Sequence, residues 1–217
     1  MTIQQKKQRL STVLATILFG IMTFGVLMSP NWFRQFDIFF QQLIQHRGTF
    51  TTLFFTYITQ AGNMTAIIVV SVIVSIFLAY KHCYRELLFL SVNIIFSAGI
   101  ITQVLKHMIT RVRPQPQLIQ ESGYSFPSGH SMAAILLYGS LIILINYHLK
   151  PSLFKTASVI VLTSLIIIIP ISRVYVNVHY PSDILAGLSL GYVLLFISKY
   201  LIFDLKSATG VLHDSHK

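Results

Sequence analysis

Charge is scarce in these 217 residues: only 10% are Asp, Glu, Lys or Arg, and just 6 are acidic. With 54% apolar residues and a mean hydropathy of +0.70, that scarcity excludes a soluble domain, for which about 25% charged residues is usual. The chain reads as an integral membrane protein with room for one domain, residues 1–217. Cysteine is nearly absent. Cys83 stands alone, which excludes an internal disulfide and a cysteine-based metal cluster. Internal repeats and low-complexity segments are lacking as well. Although 16 Lys and Arg give a net charge of +10, nucleic acid is not expected as a partner, because the basic residues fall in short groups between apolar runs with no recognition motif among them.

What is present is a series of apolar runs. Lys6, Lys7 and Arg9 precede one over 11–29. It is longer than a signal-peptide core and lacks a small-x-small cleavage site, so it reads as a retained anchor and the first span. Further spans are expected at about 64–80, 87–106, 129–147, 154–172 and 182–202, giving an all-α bundle of six transmembrane helices. Between the first two, Trp32, Phe33, Phe36, Phe39, Phe40, Leu43 and Ile44 recur at three and four, with Arg34, Gln35, Asp37, Gln41 and Gln42 on the other side. That spacing predicts an amphipathic helix over 32–46 lying in the membrane interface. A short helix over 50–59 leads toward the second span, interrupted by Gly62 and Asn63.

Lysine and arginine set the orientation. With the N-terminus cytoplasmic, the inner side collects Lys6, Lys7, Arg9, Lys81, Arg85, Lys150, Lys155, Lys199, Lys206 and Lys217. Both termini are then expected in the cytoplasm of a cell membrane. The outer side holds Arg34, Arg47, Lys106, Arg111, Arg113 and Arg173. Three of these exceptions, Lys106, Arg113 and Arg173, stand next to other reactive residues.

The stretch Tyr175 to Asp183, YVNVHYPSD, places His179 and Asp183 four apart, with Pro181 suited to the first turn of a helix. Both side chains then share a face. A carboxylate accepting the proton of one ring nitrogen leaves the other with an outward lone pair, a base or a nucleophile. The plainer alternative is a buried histidine satisfied by an aspartate. Lys106 and Arg113 are about two helical turns apart before Pro114 ends the helix, with snorkelling to headgroups as their alternative. Phe126 to Ser131 opens the fourth span. Ser128 suits an N-cap, Gly129 lets a ligand approach the backbone, and the unpaired first amides attract an anion. His130 is placed to hand over a proton, though such a turn also serves merely as a cap.

On the expected topology these loops emerge on one outer face. Three cations, a helix N-terminus and two histidines suit a tetrahedral dianion. Asp183, the only carboxylate expected in this core, makes with two histidines a poor cage for Mg²⁺ or Ca²⁺. The reading is a metal-free phosphoryl transfer with no cofactor. His179, oriented by Asp183, attacks phosphorus while Lys106, Arg113, Arg173 and the Ser128 and Gly129 amides hold the equatorial oxygens. His130 protonates the leaving group and then activates water. Glu121 is expected as a solvated loop carboxylate, and Tyr124, Ser125 and Tyr180 at the mouth.

KHMITRVRP fits Lys, six residues, Arg-Pro; SFPSGHS contains PSGH; SRVYVNVHYPSD fits Ser-Arg, five residues, His, three residues, Asp. In order and at these spacings they resemble the motifs of the type 2 phosphatidic acid phosphatase (PAP2) superfamily, with every motif position from Lys106 to Asp183 filled. The resemblance implies a six-helix membrane phosphatase acting on a lipid phosphate or pyrophosphate at the outer leaflet. It makes His179 the nucleophile, His130 the acid and Asp183 the orienting residue. Small size and brief loops look like bacterial members, which points to phosphatidylglycerophosphate, phosphatidic acid or undecaprenyl pyrophosphate. The expected partners are such a lipid and the bilayer, with no obligate protein partner. Two alternatives stay open: a phosphotransferase with the same site, and a non-catalytic lipid- or anion-binding membrane protein.

Overall fold

The structure, a computed structural model, describes residues 3–205; Lys206 and Lys217 of the charge argument lie outside the described residues. Among the described residues all regular structure is helical. The chain runs through α1 (Ile3–Met28), α2 (Asn31–Ile44) and α3 (Thr49–Ile58), which tightens into a 3₁₀ turn, Thr59–Gly62. After it come α4 (Met64–Tyr80), α5 (Tyr84–Ile109), α6 (Gly129–His148), α7 (Leu153–Tyr175) and α8 (Pro181–Asp204). Five of these helices are long and apolar enough to cross a membrane, namely α1, α5, α6, α7 and α8. A sixth crossing arises only if α3 and α4 count as one span bent by 49°. α4 coincides with the span expected at 64–80; its 17 residues reach about 25 Å at 1.5 Å per residue, against a hydrocarbon core of about 30 Å.

The centre of the bundle is α6. Met132, Ala134, Leu136 and Leu137 are fully buried there, and its neighbours are α5, α7 and α8. Small residues explain the closeness of α6 and α8. A Cβ on Gly187 would lie 2.6 Å from the Ser128 carbonyl oxygen, and one on Gly191 would lie 2.4 Å from an Ile135 methyl. Such residues let helix backbones approach where lipid offers no hydrophobic drive to pack. The middle of α5, Val92–Ile101, is wound as a π-helix. Buried Asn93 accepts a hydrogen bond from Ser198 Oγ (2.9 Å), which ties α5 to α8.

α2 departs from the sequence reading in one respect. Trp32, Ile38, Phe39 and Leu43 are exposed, whereas Phe33 and Asp37 are buried on the inward face. Asp37 therefore points into the protein. Helical periodicity sorted it with the polar side of α2, but only the fold shows that Arg111 and Ser182 wait there for it. Phe33 seats α2 on α1, where a Cβ on Gly25 would stand 2.2 Å from its ring.

Candidate active site

His179 sits in the short link between α7 and α8 and is 1% exposed. That link is set by Asn177, a residue type that tolerates the left-handed region it occupies (φ 56°). Its amide nitrogen donates to the Pro116 carbonyl (2.7 Å), and its Oδ1 accepts from Gln45 (2.9 Å) and Gln41 (3.2 Å). The chain bearing His179 is thereby anchored to α2 and to the α5–α6 loop.

The imidazole is held at both nitrogens. Nδ1 lies 3.4 Å from Asp183 Oδ2, and Nε2 lies 3.1 Å from Arg113 Nη1. A guanidinium only donates. Nε2 must therefore carry the lone pair and Nδ1 the proton, which donates to Asp183. Burial first, then the Arg113, Lys106 and Arg173 charges, hold the His179 pKa well below its ordinary 6.5. The ring is neutral at physiological pH, with its Nε2 electron pair turned toward the cations and accepting from Arg113.

The structure brings most of the residues singled out from sequence into one place. Lys106, Arg113, Gly129, His130 and His179 line a single cavity of about 400 Å³. Lys106 donates to the Tyr124 carbonyl (2.5 Å). Arg113 is spread over the Ser122, Gly123 and Val178 carbonyls at 2.8–3.3 Å. Arg173 is 0% exposed. Its Nη1 donates to Thr59 Oγ1 (2.7 Å) and its Nη2 to Glu121 (2.5 Å), while its Nε finds no acceptor among the described residues.

Ser128 caps α6, its Oγ accepting from the Ser131 amide (3.3 Å). Its own amide donates to the Asp183 carbonyl (3.1 Å). It is thus committed to holding α8 against α6, which corrects the expectation that it faces a ligand oxygen; Gly129 is the residue of this turn that borders the cavity.

Several participants escaped the sequence reading. Glu121 is the ion-pair partner of Arg173 rather than a solvated carboxylate, with Arg113 3.9 Å from its other oxygen. Asn63 Oδ1 lies 2.8 Å from His130 Nε2. Arg111 bridges two buried acids, Nη1 to Asp183 Oδ1 (2.6 Å) and Nη2 to Asp37 Oδ2 (2.7 Å). Burial disfavours its charged form, but Asp183 and Asp37 outweigh that and raise its pKa. Asp183 is thus not the only carboxylate of this core. Of the residues expected at the mouth, Tyr124 lines the cavity, Ser125 is fully buried, and Tyr180 stacks 4.0 Å from the Arg111 guanidinium. The one cue available for Asp37 was its being the only acid in α2; Asn63 stood out only as an interruption of the apolar run, and Thr59 gave no cue.

Helices of this order, with Lys106, Arg113, His130, Arg173 and the His179–Asp183 pair gathered at one end, define a class of apolar helical bundle with a basic, two-histidine site. The PAP2 superfamily profile matches residues 86–207, and the chain belongs to that superfamily. Phosphatidylglycerophosphatase B of Bacillus subtilis is 41% identical over 103 residues, 46% of this chain and 50% of that one. Undecaprenyl-diphosphatase of Sulfolobus acidocaldarius is 31% identical over 108 residues, 46% of this chain and 48% of that one. The chain spans about half the length of the curated relatives it matches. Over a longer stretch, the crystal structure of a transmembrane PAP2 type phosphatidylglycerolphosphate phosphatase from Bacillus subtilis superposes with a TM-score of 0.80 at 30% identity, covering 90% of this chain and 97% of that one. Aquifex aeolicus LpxE, at 23% identity, a TM-score of 0.57 and coverage of 74% and 93%, shares the fold.

Proposed function

We propose that this protein is a metal-independent phosphatase of membrane lipids that works through a phosphohistidine. The observation that carries the reading is the double hold on His179. Asp183 accepts a hydrogen bond from Nδ1–H and Arg113 donates to Nε2, so the unprotonated nitrogen faces the cations that would gather phosphate oxygens. His179 Nε2 forms the bond to phosphorus as the bond to the leaving oxygen breaks. Lys106 and Arg113, which line the cavity, neutralise the equatorial oxygens, and Arg173, fully buried behind that lining, adds its charge to theirs. His130, protonated beside the bound dianion, passes its proton to the leaving oxygen. It then takes a proton from water as the water oxygen attacks phosphorus, the N–P bond breaks and His179 is regenerated.

The cavity offers cations, imidazoles and a single carboxylate, Glu121, whereas Mg²⁺ and Ca²⁺ require several oxygen ligands. Its other wall, Met64, Ile67, Ile94 and Ala98, is apolar, as a lipid chain requires. The relatives' names point to phosphatidylglycerophosphate and undecaprenyl pyrophosphate, with phosphatidic acid the simplest monoester of the class. In this reading α3 and α4 form one broken span, making six. α2 lies at the outer interface, the termini are cytoplasmic and the site opens outward, in line with the lysine and arginine bias.

The test is phosphate release by purified protein from phosphatidylglycerophosphate, phosphatidic acid and undecaprenyl pyrophosphate, with and without EDTA. The expected outcome is release that EDTA leaves unchanged, vanadate inhibits and His179→Ala abolishes. Undiminished release by His179→Ala, or loss with EDTA, would refute the site as drawn.

A further inference from the structure

We infer that Arg111 and Asp37 are positioning residues for the nucleophile, together holding the Asp183 carboxylate in the place and charge state from which it orients His179. The inference rests on His179 acting as nucleophile, as proposed above.

Asp183 is 0% exposed, a condition a carboxylate tolerates only when paired and hydrogen-bonded. Its Oδ2 accepts from the Tyr180 amide (2.9 Å) and faces His179 Nδ1 at 3.4 Å. That second contact is too long to fix the acid by itself. The short, charged bond is on the other oxygen, to Arg111 at 2.6 Å. Arg111 is itself immobilised. Ser182 Oγ accepts from it (2.8 Å), Tyr180 lies under its plane at 4.0 Å, and Asp37 takes its remaining nitrogen (2.7 Å). Asp37 in turn accepts the Ser182 amide (2.9 Å) and hydroxyl (2.8 Å) at the start of α8. None of Arg111, Asp37 or Ser182 borders the cavity. They act on the reaction only through Asp183.

The consequence is chemical as well as mechanical. Without the guanidinium, a carboxylate this buried lowers its energy by taking a proton. Protonated Asp183 would donate to Nδ1 and drive the imidazole proton to Nε2, the nitrogen that must attack. Arg111 prevents that inversion, and Asp37 supplies the charge that keeps Arg111 from being the uncompensated ion.

The experiment uses the full-length protein in detergent with short-chain phosphatidic acid, measuring kcat and KM for wild type, Arg111→Met, Arg111→Lys, Asp37→Asn, Arg111→Met with Asp37→Asn, and His179→Ala. Asp37→Asn keeps an oxygen for the Ser182 amide, removes the charge and replaces the acceptor facing Arg111 with an amide nitrogen. Arg111→Met is expected to lower kcat about 100-fold with KM within about twofold, the mark of an interaction realised in the transition state. Arg111→Lys recovers part of the loss, since an ammonium serves one carboxylate well but not both. Asp37→Asn is expected to cost about tenfold in kcat when Arg111 is present and nothing further in its absence, because the two residues form one chain. Melting curves report how much of each sample is folded. Should Arg111→Met not fold, the kcat of folded Asp37→Asn and Arg111→Lys decides the matter alone. A folded-protein kcat within twofold of wild type, or equal Asp37→Asn losses in both backgrounds, overturns the positioning role. An active His179→Ala overturns the phosphohistidine reading and this role with it; an inactive one beside an unaffected Arg111→Met overturns this role only.

Discussion

His130 Nε2 lies 2.8 Å from Asn63 Oδ1, and the Asn63 amide nitrogen is turned away onto Gln60 Oε1. The carboxamide therefore presents its acceptor to the ring, and the His130 proton is kept on Nε2. In the proposed mechanism the break between α3 and α4 thereby orients the acid. Asn63→Ala should lower kcat by about 10- to 100-fold, the usual weight of a positioned acid. The loss should be large for an alkyl phosphate and small for a nitrophenyl phosphate, whose leaving group needs no proton. Equal losses across a leaving-group series would contradict the pairing.

Glu121, which lines the cavity, occupies Arg173 at 2.5 Å. Glu121→Gln keeps a hydrogen-bond acceptor there and removes the competing charge. Vanadate should then inhibit several-fold more tightly, as expected when a like charge is withdrawn from an anion's site. Inhibition curves for the two proteins check this, and weaker binding in the variant would count against it.

The pH dependence follows from His179, whose pKa is lowered below 6.5 by burial and the neighbouring cations. The folded ring stays neutral as pH falls through 6.5 while the unfolded chain takes up the proton. Below that value the unfolded state binds more protons, so this group's contribution to stability shrinks with falling pH. Thermal melting of wild type against His179→Asn should show wild type losing more stability between neutral and mildly acid pH. The acid limb of kcat/KM that reports the nucleophile should lie well under 6.5.

Gly62 is needed for space. A Cβ there would lie 2.5 Å from an Ile169 methyl and 3.0 Å from His130 Cδ2. Ile169 is fully buried and β-branched, so its rotamer yields little. Gly62→Ala should displace His130 and depress kcat by about tenfold or more, since small misplacements of a reacting group are expensive. Its melting temperature should fall less markedly than its activity.

The apolar runs and the motif residues were legible because each rests on local rules. Long runs of low polarity have only one solvent that suits them. His179 and Asp183, four apart behind Pro181, face one way on any helix that starts there. Ser128 caps α6 for equally local reasons. By contrast, Asp37 on α2, Thr59 and Asn63 at the α3–α4 break, and Glu121 in the α5–α6 loop carry no spacing relation to the residues they serve. Their partners lie 145 positions away for Asp37 and Ser182, and 114 for Thr59 and Arg173. Thr59, Asn63 and Asp37 fall outside residues 86–207, the part shared with the family profile.

The sequence by itself determined that the chain lives in a membrane, that it is helical, and which cations and histidines belong together, since hydropathy and helical period are properties of neighbours along the chain. Tertiary structure alone decided which nitrogen of His179 is bare, that Arg111 joins two buried acids, and that the Ser128 amide is already committed. Those are facts about distances between elements far apart along the chain; the closeness of α8 to α6 that commits the Ser128 amide rests on Gly187 and Gly191.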